Sequence, residues 1–239
     1  MTDAPVLALQ AVRFGWPRSP VDCLEIESLE VAAGDTVFLH GPSGCGKSTL
    51  LSLMAGVLLP RQGRVALMGR EWAGMRPAAR DRHRVDNLGY IFQQFNLLPY
   101  LSVLENVLAP CRFSSRRRAA AEHHAGSMLA DAQAWLDGMG LERSLWQRPA
   151  RDLSVGQQQR VAAARALIGR PALVIADEPT SALDEALRES FLDLLLVASA
   201  QARSAVVFVS HDQRLAERFR RRLLLPAINR ASAPALEPD

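Results

Sequence analysis

Nine residues, Gly41-Pro-Ser-Gly-Cys-Gly-Lys-Ser-Thr49, fit the spacing G-x-x-x-x-G-K-[ST], in which each fixed position serves a polyphosphate. The glycines let backbone N–H groups approach phosphate oxygens, and a helix starting at the end of the loop adds its dipole. Gly41, Pro42, Ser43, Gly44, Cys45 and Gly46 are therefore expected around the phosphates. Lys47 is expected to bridge the β- and γ-phosphates, Ser48 to ligate Mg²⁺ and Thr49 to touch the α-phosphate. Composition singles out the same lysine: the chain has 28 basic residues, and Lys47 is the one that is not arginine. In a chain that uses Arg wherever either cation serves, the surviving Lys marks a place for a compact point charge rather than a planar fork.

Two further sets of chemical groups stand at the ends of apolar runs. Pro171-Ala-Leu-Val-Ile-Ala176 leads into Asp177-Glu178, and Ser204-Ala-Val-Val-Phe-Val-Ser210 leads into His211-Asp212. A carboxylate at the end of a buried strand beside a phosphate loop suits Mg²⁺ held through water, the role expected of Asp177. Glu178, one residue on, falls on the opposite pleat or in the turn, where a carboxylate can polarise a water attacking the γ-phosphate. The elements that must position these groups are legible too. Residues 35–40 read as a buried strand entering the loop, and 49–56 as a helix leaving it and stopping at Gly56. Strand, glycine-rich turn and helix form the context the loop needs, though kinases, GTPases, helicases and transport ATPases all share it.

The family is narrowed by Leu153-Ser-Val-Gly-Gln157 followed by QQRVAAARAL, which resembles the signature motif of the ATP-binding cassette family. The remaining motifs then follow in that family's order from about residue 7 to about residue 215. Gln93 in YIFQQFNLLP resembles the Q-loop, Ser181-Ala-Leu-Asp184 the D-loop and His211 the switch histidine, and Trp16 stands where an aromatic stacks on adenine. FQQFNLLP, LSVLENVLAP and IADEPTSALD most resemble the lipoprotein-releasing, macrolide-efflux and glycolipid-export cassettes, with the cell-division cassette also similar.

The resemblance implies an α/β fold: a RecA-like P-loop NTPase core, an N-terminal antiparallel β subdomain and a helical insert. Residues 1–92 and 160–225 are expected as the nucleotide-binding core, 93–159 as the helical signature subdomain and 226–239 as a disordered tail. It also implies ATP with Mg²⁺, and hydrolysis by Glu178 with His211 and Gln93, Gln93 also sensing the metal. Two cassettes face each other, a homodimer or a pair with another cassette. Ser154, Gly156 and Gln157 of one meet the γ-phosphate held by the other, and Asp184 communicates across the interface. Separate transmembrane permease subunits would carry the substrate, placing the chain in the cytoplasm on the inner face of the membrane. Three positions depart from the family pattern. Val155 replaces the first signature glycine, where a β-branched residue disfavours positive φ. Trp16 replaces the commoner Tyr, and Arg220 to Pro226 stands where a glycine turn is usual.

Bulk properties agree. The 239 residues are 49% hydrophobic and 22% charged, enough for a sizeable core. No apolar run reaches the roughly 18–20 residues of a membrane span; Phe191 to Ala200 is broken by Asp193 and reads as a buried helix. The first residues lack the basic-then-apolar pattern of a secretory leader. Three scattered cysteines form neither a disulfide framework nor a zinc spacing. A net charge of +3 points to no nucleic acid, and Arg116–Arg118 and Arg220–Arg222 lack the interleaved aromatics of single-strand binders. They read as solvated surface. Residues 119–138, rich in Ala, read as one insert helix, and 95–100 as either core or part of a groove for a membrane partner. Two rival functions remain: a soluble cassette ATPase, and an ATP-dependent clamp that dimerises without turnover.

Overall fold

An apolar run with no polar alternation suits a strand buried on both faces, the condition of a parallel sheet covered by helices. The computed structural model describes residues 4–231. Its strands are β1 (Leu7–Phe14), β2 (Leu24–Val31), β3 (Thr36–His40), β4 (Gln62–Leu67), β5 (Arg70–Glu71), β6 (Leu88–Ile91), β7 (Leu173–Asp177), β8 (Ala205–Val209) and β9 (Arg221–Leu224). The helices are α1 (Lys47–Met54), α2 (Pro77–Asn87), α3 (Val103–Phe113), α4 (Ser115–Ala125), α5 (Met128–Gly138), α6 (Val155–Leu167), α7 (Glu185–Ala202) and α8 (Leu225–Ile228).

Five strands form a parallel sheet in the order β6-β7-β8-β3-β9, and four form an antiparallel sheet in the order β2-β1-β4-β5. The pleat of the parallel sheet divides its side chains between two cores. Val37, Leu39, Ile175, Val207 and Val209 pack with α1 and the antiparallel sheet. Phe38, Val174, Ala176, Val206 and Phe208 pack with α6, α7 and the insert helices. Each fully buried Val, Leu, Ile or Phe contributes about 1.5–3 kcal/mol relative to exposure, so this double burial sets the sheet's register.

The strand order determines what meets at the carboxyl edge. Gln93 follows β6, Asp177 ends β7, His211 follows β8 and the phosphate loop follows β3, so adjacent strands deliver all four groups to one edge. Phe219 packs on Phe38 and Phe208, with ring centroids 5.4 and 5.2 Å away, and pins the turn after His211 to the sheet.

Several boundaries differ from expectation. The stretch 119–138 belongs to two helices, α4 and α5, divided at Gly126 (φ 80°) and Ser127, whose hydroxyl accepts from Ala130 N–H. Glycine as a helix stop and serine as a helix cap were the local signals. The expected division between 159 and 160 falls inside α6, a single helix over 155–167. Within the expected tail, residues 226–231 are described and are held in place. After α8, Asn229 Oδ1 accepts from Glu25 N–H, its amide donates to Cys23 O, and Arg230 N–H donates to Glu25 O. Backbone partners along β2 hold this segment; the rest of the expected tail, 232–239, lies outside the described residues. Arg220 to Pro226 supplies the edge strand β9, with Arg221 paired to Asp35 at 2.7 Å.

Candidate active site

The phosphate loop is closed by its own lysine. Lys47 is almost fully buried, and its Nζ donates to Gly41 O at 2.9 Å and to Pro42 O at 3.0 Å. Gly46 caps α1 at φ 100°, a backbone that favours glycine, and a Cβ there would stand 3.0 Å from Leu24 Cδ2. No side chain caps α1 and no acidic residue lies in its first turn, which leaves its N–H groups directed at an anion.

One cavity of 350 Å³ brings Ser43, Gly44, Gly46, Lys47, Ser48 and Thr49 together with Gln93, Asp177, Glu178 and His211. Ser181, quoted above only as the first residue of its motif, lines it as well. Glu178 lies in the turn, not on the pleat: its φ is +47° and its N–H donates to Val209 O at 3.1 Å. Its carboxylate is largely buried, and its Oε1 lies 3.0 Å from His211 Nε2 without hydrogen-bond alignment from any described donor. Burial raises Glu178 above the ordinary carboxylate range, opposed in smaller measure by His211 and Lys47. Burial raises Asp177 likewise, opposed by the Tyr90 hydroxyl, 3.5 Å from its Oδ2, and by Lys47. Two desolvated carboxylates beside a phosphate loop are an incomplete electrostatic arrangement that a cation would complete.

Not every expected residue joins this cavity. Trp16 is half exposed outside it, edge-on to Phe14 at 5.4 Å, with its carbonyl held by Arg61. The signature residues Ser154, Gly156 and Gln157 share a separate depression of 440 Å³ with Asp184. Ser154 and Gln157 form a capping box at the start of α6: Gln157 N–H donates to Ser154 Oγ, and Gln157 Oε1 accepts from Ser154 N–H. The N–H groups of Val155 and Gly156 are left without intrahelical acceptors. Val155 does not adopt positive φ; as the first residue of α6 it is helical and exposed, so the strain expected of a β-branched residue is absent. Asp184 caps α7, accepting from Leu187 N–H at 2.9 Å.

Sequence reasoning missed the groups that tie these pieces together. Arg188 donates to Leu183 O and to Asp212 Oδ2, linking the 181–184 turn to the residue after His211. Asp212 also receives Arg214, which holds its carboxyl at about 2. A third, apolar groove of 480 Å³ lies between β6, the end of α1 and α3, with Val57, Phe92, Pro110 and Phe113 in its walls. No residue of 95–100 lines it; Phe95 is buried in the core, and Asn96, Leu97 and Pro99 line a separate depression of 230 Å³.

Comparison with known proteins gives concordant matches. The pattern of the family described as ABC transporter matches residues 24–181. The lipoprotein-releasing system ATP-binding protein LolD of Legionella pneumophila (strain Paris) is 40% identical over 207 residues, covering 87% of this chain and 88% of that one. LolD of Xanthomonas oryzae pv. oryzae (strain MAFF 311018) is 38% identical over 212 residues, covering 88% and 82%. Among solved structures, a dimeric ATP-binding cassette in a post-hydrolysis state bound to ADP and Pi superposes with a TM-score of 0.78 at 31% identity. The match covers 96% of this chain and 100% of that one.

Proposed function

The chain belongs to the ABC transporter family and is an ATPase coupled to transport, and from that premise we propose that it is the nucleotide-binding subunit of a membrane complex. Two cassettes close around ATP and drive export or mechanical coupling through separate transmembrane subunits. The observation that carries this reading is the separation of the two half-sites. Ser154, Gly156 and Asp184 line one depression and the phosphate loop lines another, so a complete site takes one half from each of two cassettes. A structural relative at 31% identity is itself described as dimeric and bound to ADP and Pi.

In this account Lys47 and the N-terminal amides of α1 hold the phosphates, while the exposed face of Trp16 receives the adenine. Ser48, Asp177 and Gln93 offer hydroxyl, carboxylate and amide oxygens to one cavity. Such a hard donor set fits Mg²⁺, with phosphate and water oxygens completing its shell. Bound there, Mg²⁺ would supply neutralisation of phosphate charge. Glu178 takes the proton of the attacking water, and His211, within reach of Glu178, holds that water and the γ-phosphate. In the partner cassette, the free amides of Val155 and Gly156 face the same γ-phosphate.

Among the described residues no helix is long and apolar enough to cross a membrane. The 480 Å³ groove suits an apolar helix from a membrane subunit, with Phe113 and Val57 standing exposed at it. Docking there places the chain at the inner face of the membrane. The experiment is an affinity pull-down of tagged Glu178→Gln protein with ATP from detergent-solubilised native membranes. One or two integral membrane proteins in stoichiometric amount are expected. Recovery of the chain alone, or with ribosomal or repair proteins, would instead support the soluble ATPase, and dimerisation without turnover by the unsubstituted protein the clamp.

A further inference from the structure

The segment carrying Gln93 has an uncommon backbone. Phe95 and Asn96 both have left-handed φ, 58° and 48°. Asn tolerates that region through its short polar side chain, but Phe does not, so the turn needs external support. Its amides close the bend locally, Phe95 N–H donating to Phe92 O and Asn96 N–H to Gln94 O. Its far end is held by the buried Asn106, which accepts from Leu98 N–H and donates to Leu98 O. The two carbonyls at the centre of the bend receive a single side chain: Arg165 of α6 donates through one nitrogen to Asn96 O at 2.7 Å and through the other to Phe95 O.

Arg165 is costly to keep there. Burial, with no carboxylate among its causes to offset it, lowers its guanidinium to about 10. A half-buried cation satisfied by backbone carbonyls, at a bend with two left-handed residues, is a specific device. Its planar fork brings a separate nitrogen to each of two successive carbonyls, where a lysine would bring one nitrogen for both. The same side chain also lines the apolar groove beside Phe92, and its helix begins at the signature residues.

We propose that Arg165 is a positioning residue for Gln93. It clasps the Phe95 and Asn96 carbonyls, holds the bend that places Gln93 in the phosphate cavity, and fastens that bend to the helix whose first turn presents Ser154 and Gly156. Granted the role given to Gln93 above, a shift of the bend on partner docking reaches both half-sites through this one side chain.

Arg165→Lys keeps the charge with a single point donor, and Arg165→Met keeps the stem with no donor. Saturating ATP turnover is expected to fall about 10-fold in Arg165→Met and less in Arg165→Lys, with ATP affinity within about 2-fold of wild type. The double variant Gln93→Ala/Arg165→Met is expected to be no slower than Gln93→Ala alone, the sign of two residues acting as one unit. Amide hydrogen exchange at 93–97 is expected to rise at least about 10-fold in both Arg165 variants. Wild-type exchange there, or losses that multiply in the double variant, would overturn the proposal. Should Gln93→Ala itself turn over normally, the catalytic role of Gln93 falls. Exchange then decides the clasp: faster exchange keeps it as the holder of the bend, and unchanged exchange removes it.

Discussion

Glu178→Gln is expected to lower steady ATP turnover by about 10²–10⁴-fold, the range for loss of a general base, while ATP binding persists. The substitution is nearly isosteric, so it opens no cavity and leaves the turn after β7 in place. What it removes is a carboxylate whose Oε1 is buried without an aligned donor and 3.0 Å from His211 Nε2. A buried polar atom left without a hydrogen-bond partner is uncommon and calls for a functional account. In the function proposed above, this carboxylate faces the attacking water. The left-handed φ of +47° at Glu178 points the same way, since a non-glycine residue persists there only where its surroundings over-determine it. Phosphate release and binding of a fluorescent ATP analogue measure the two quantities separately. Turnover within about 3-fold of wild type, well below the general-base range, would move the base elsewhere.

Lys47→Arg, conservative in charge, is expected to weaken ATP binding on the order of 100-fold, the loss of one or two charge-assisted hydrogen bonds. The ammonium fits between two carbonyls of its own loop at 2.9 and 3.0 Å and is only 9% exposed. A guanidinium is planar and wide, so it must either displace the loop carbonyls or swing out of the cavity. Both outcomes remove the bridging charge. Titration with ATP, beside a thermal melt showing the fold intact, measures this. Wild-type affinity in the arginine variant would show that the charge alone matters, and the lone lysine would lose its meaning.

How much of this was legible depends on the range of the interaction. β3, β7 and β8 were readable because burial on both faces leaves uninterrupted apolar runs, and the groups at their ends follow from a parallel sheet having one carboxyl edge. The start of α6 was not read from the signature residues, where Ser154 caps the helix and Val155 opens it. Helical backbone there makes Val155 an ordinary residue rather than a conformational concern. The break at Gly126 was locally signalled and overlooked under an alanine-rich pattern. Arg165 was not legible as a link, because the two backbone carbonyls it bonds lie 69 and 70 residues away in sequence. Nothing in a residue's type announces which remote carbonyl it will meet. The turn at Asn229 escaped for the same reason: its partners are Glu25 on β2 and Cys23 just before it, some 200 residues earlier.

The central claim, that ATP is hydrolysed at a site shared between two cassettes, is tested most directly by mixing two dead proteins. Lys47→Ala disables the phosphate loop and leaves the signature. Gly156→Asp sets a negative charge where the γ-phosphate should arrive, at a position where a Cβ meets nothing within 4 Å and an acidic first-turn residue suits the helix. Each alone should be inactive. Mixed in equal amounts, random pairing makes half the dimers mixed, each with one intact site of two, so about a quarter of wild-type turnover should return. A mixture as silent as its components, or a Gly156→Asp protein active alone, would contradict a site built from two chains.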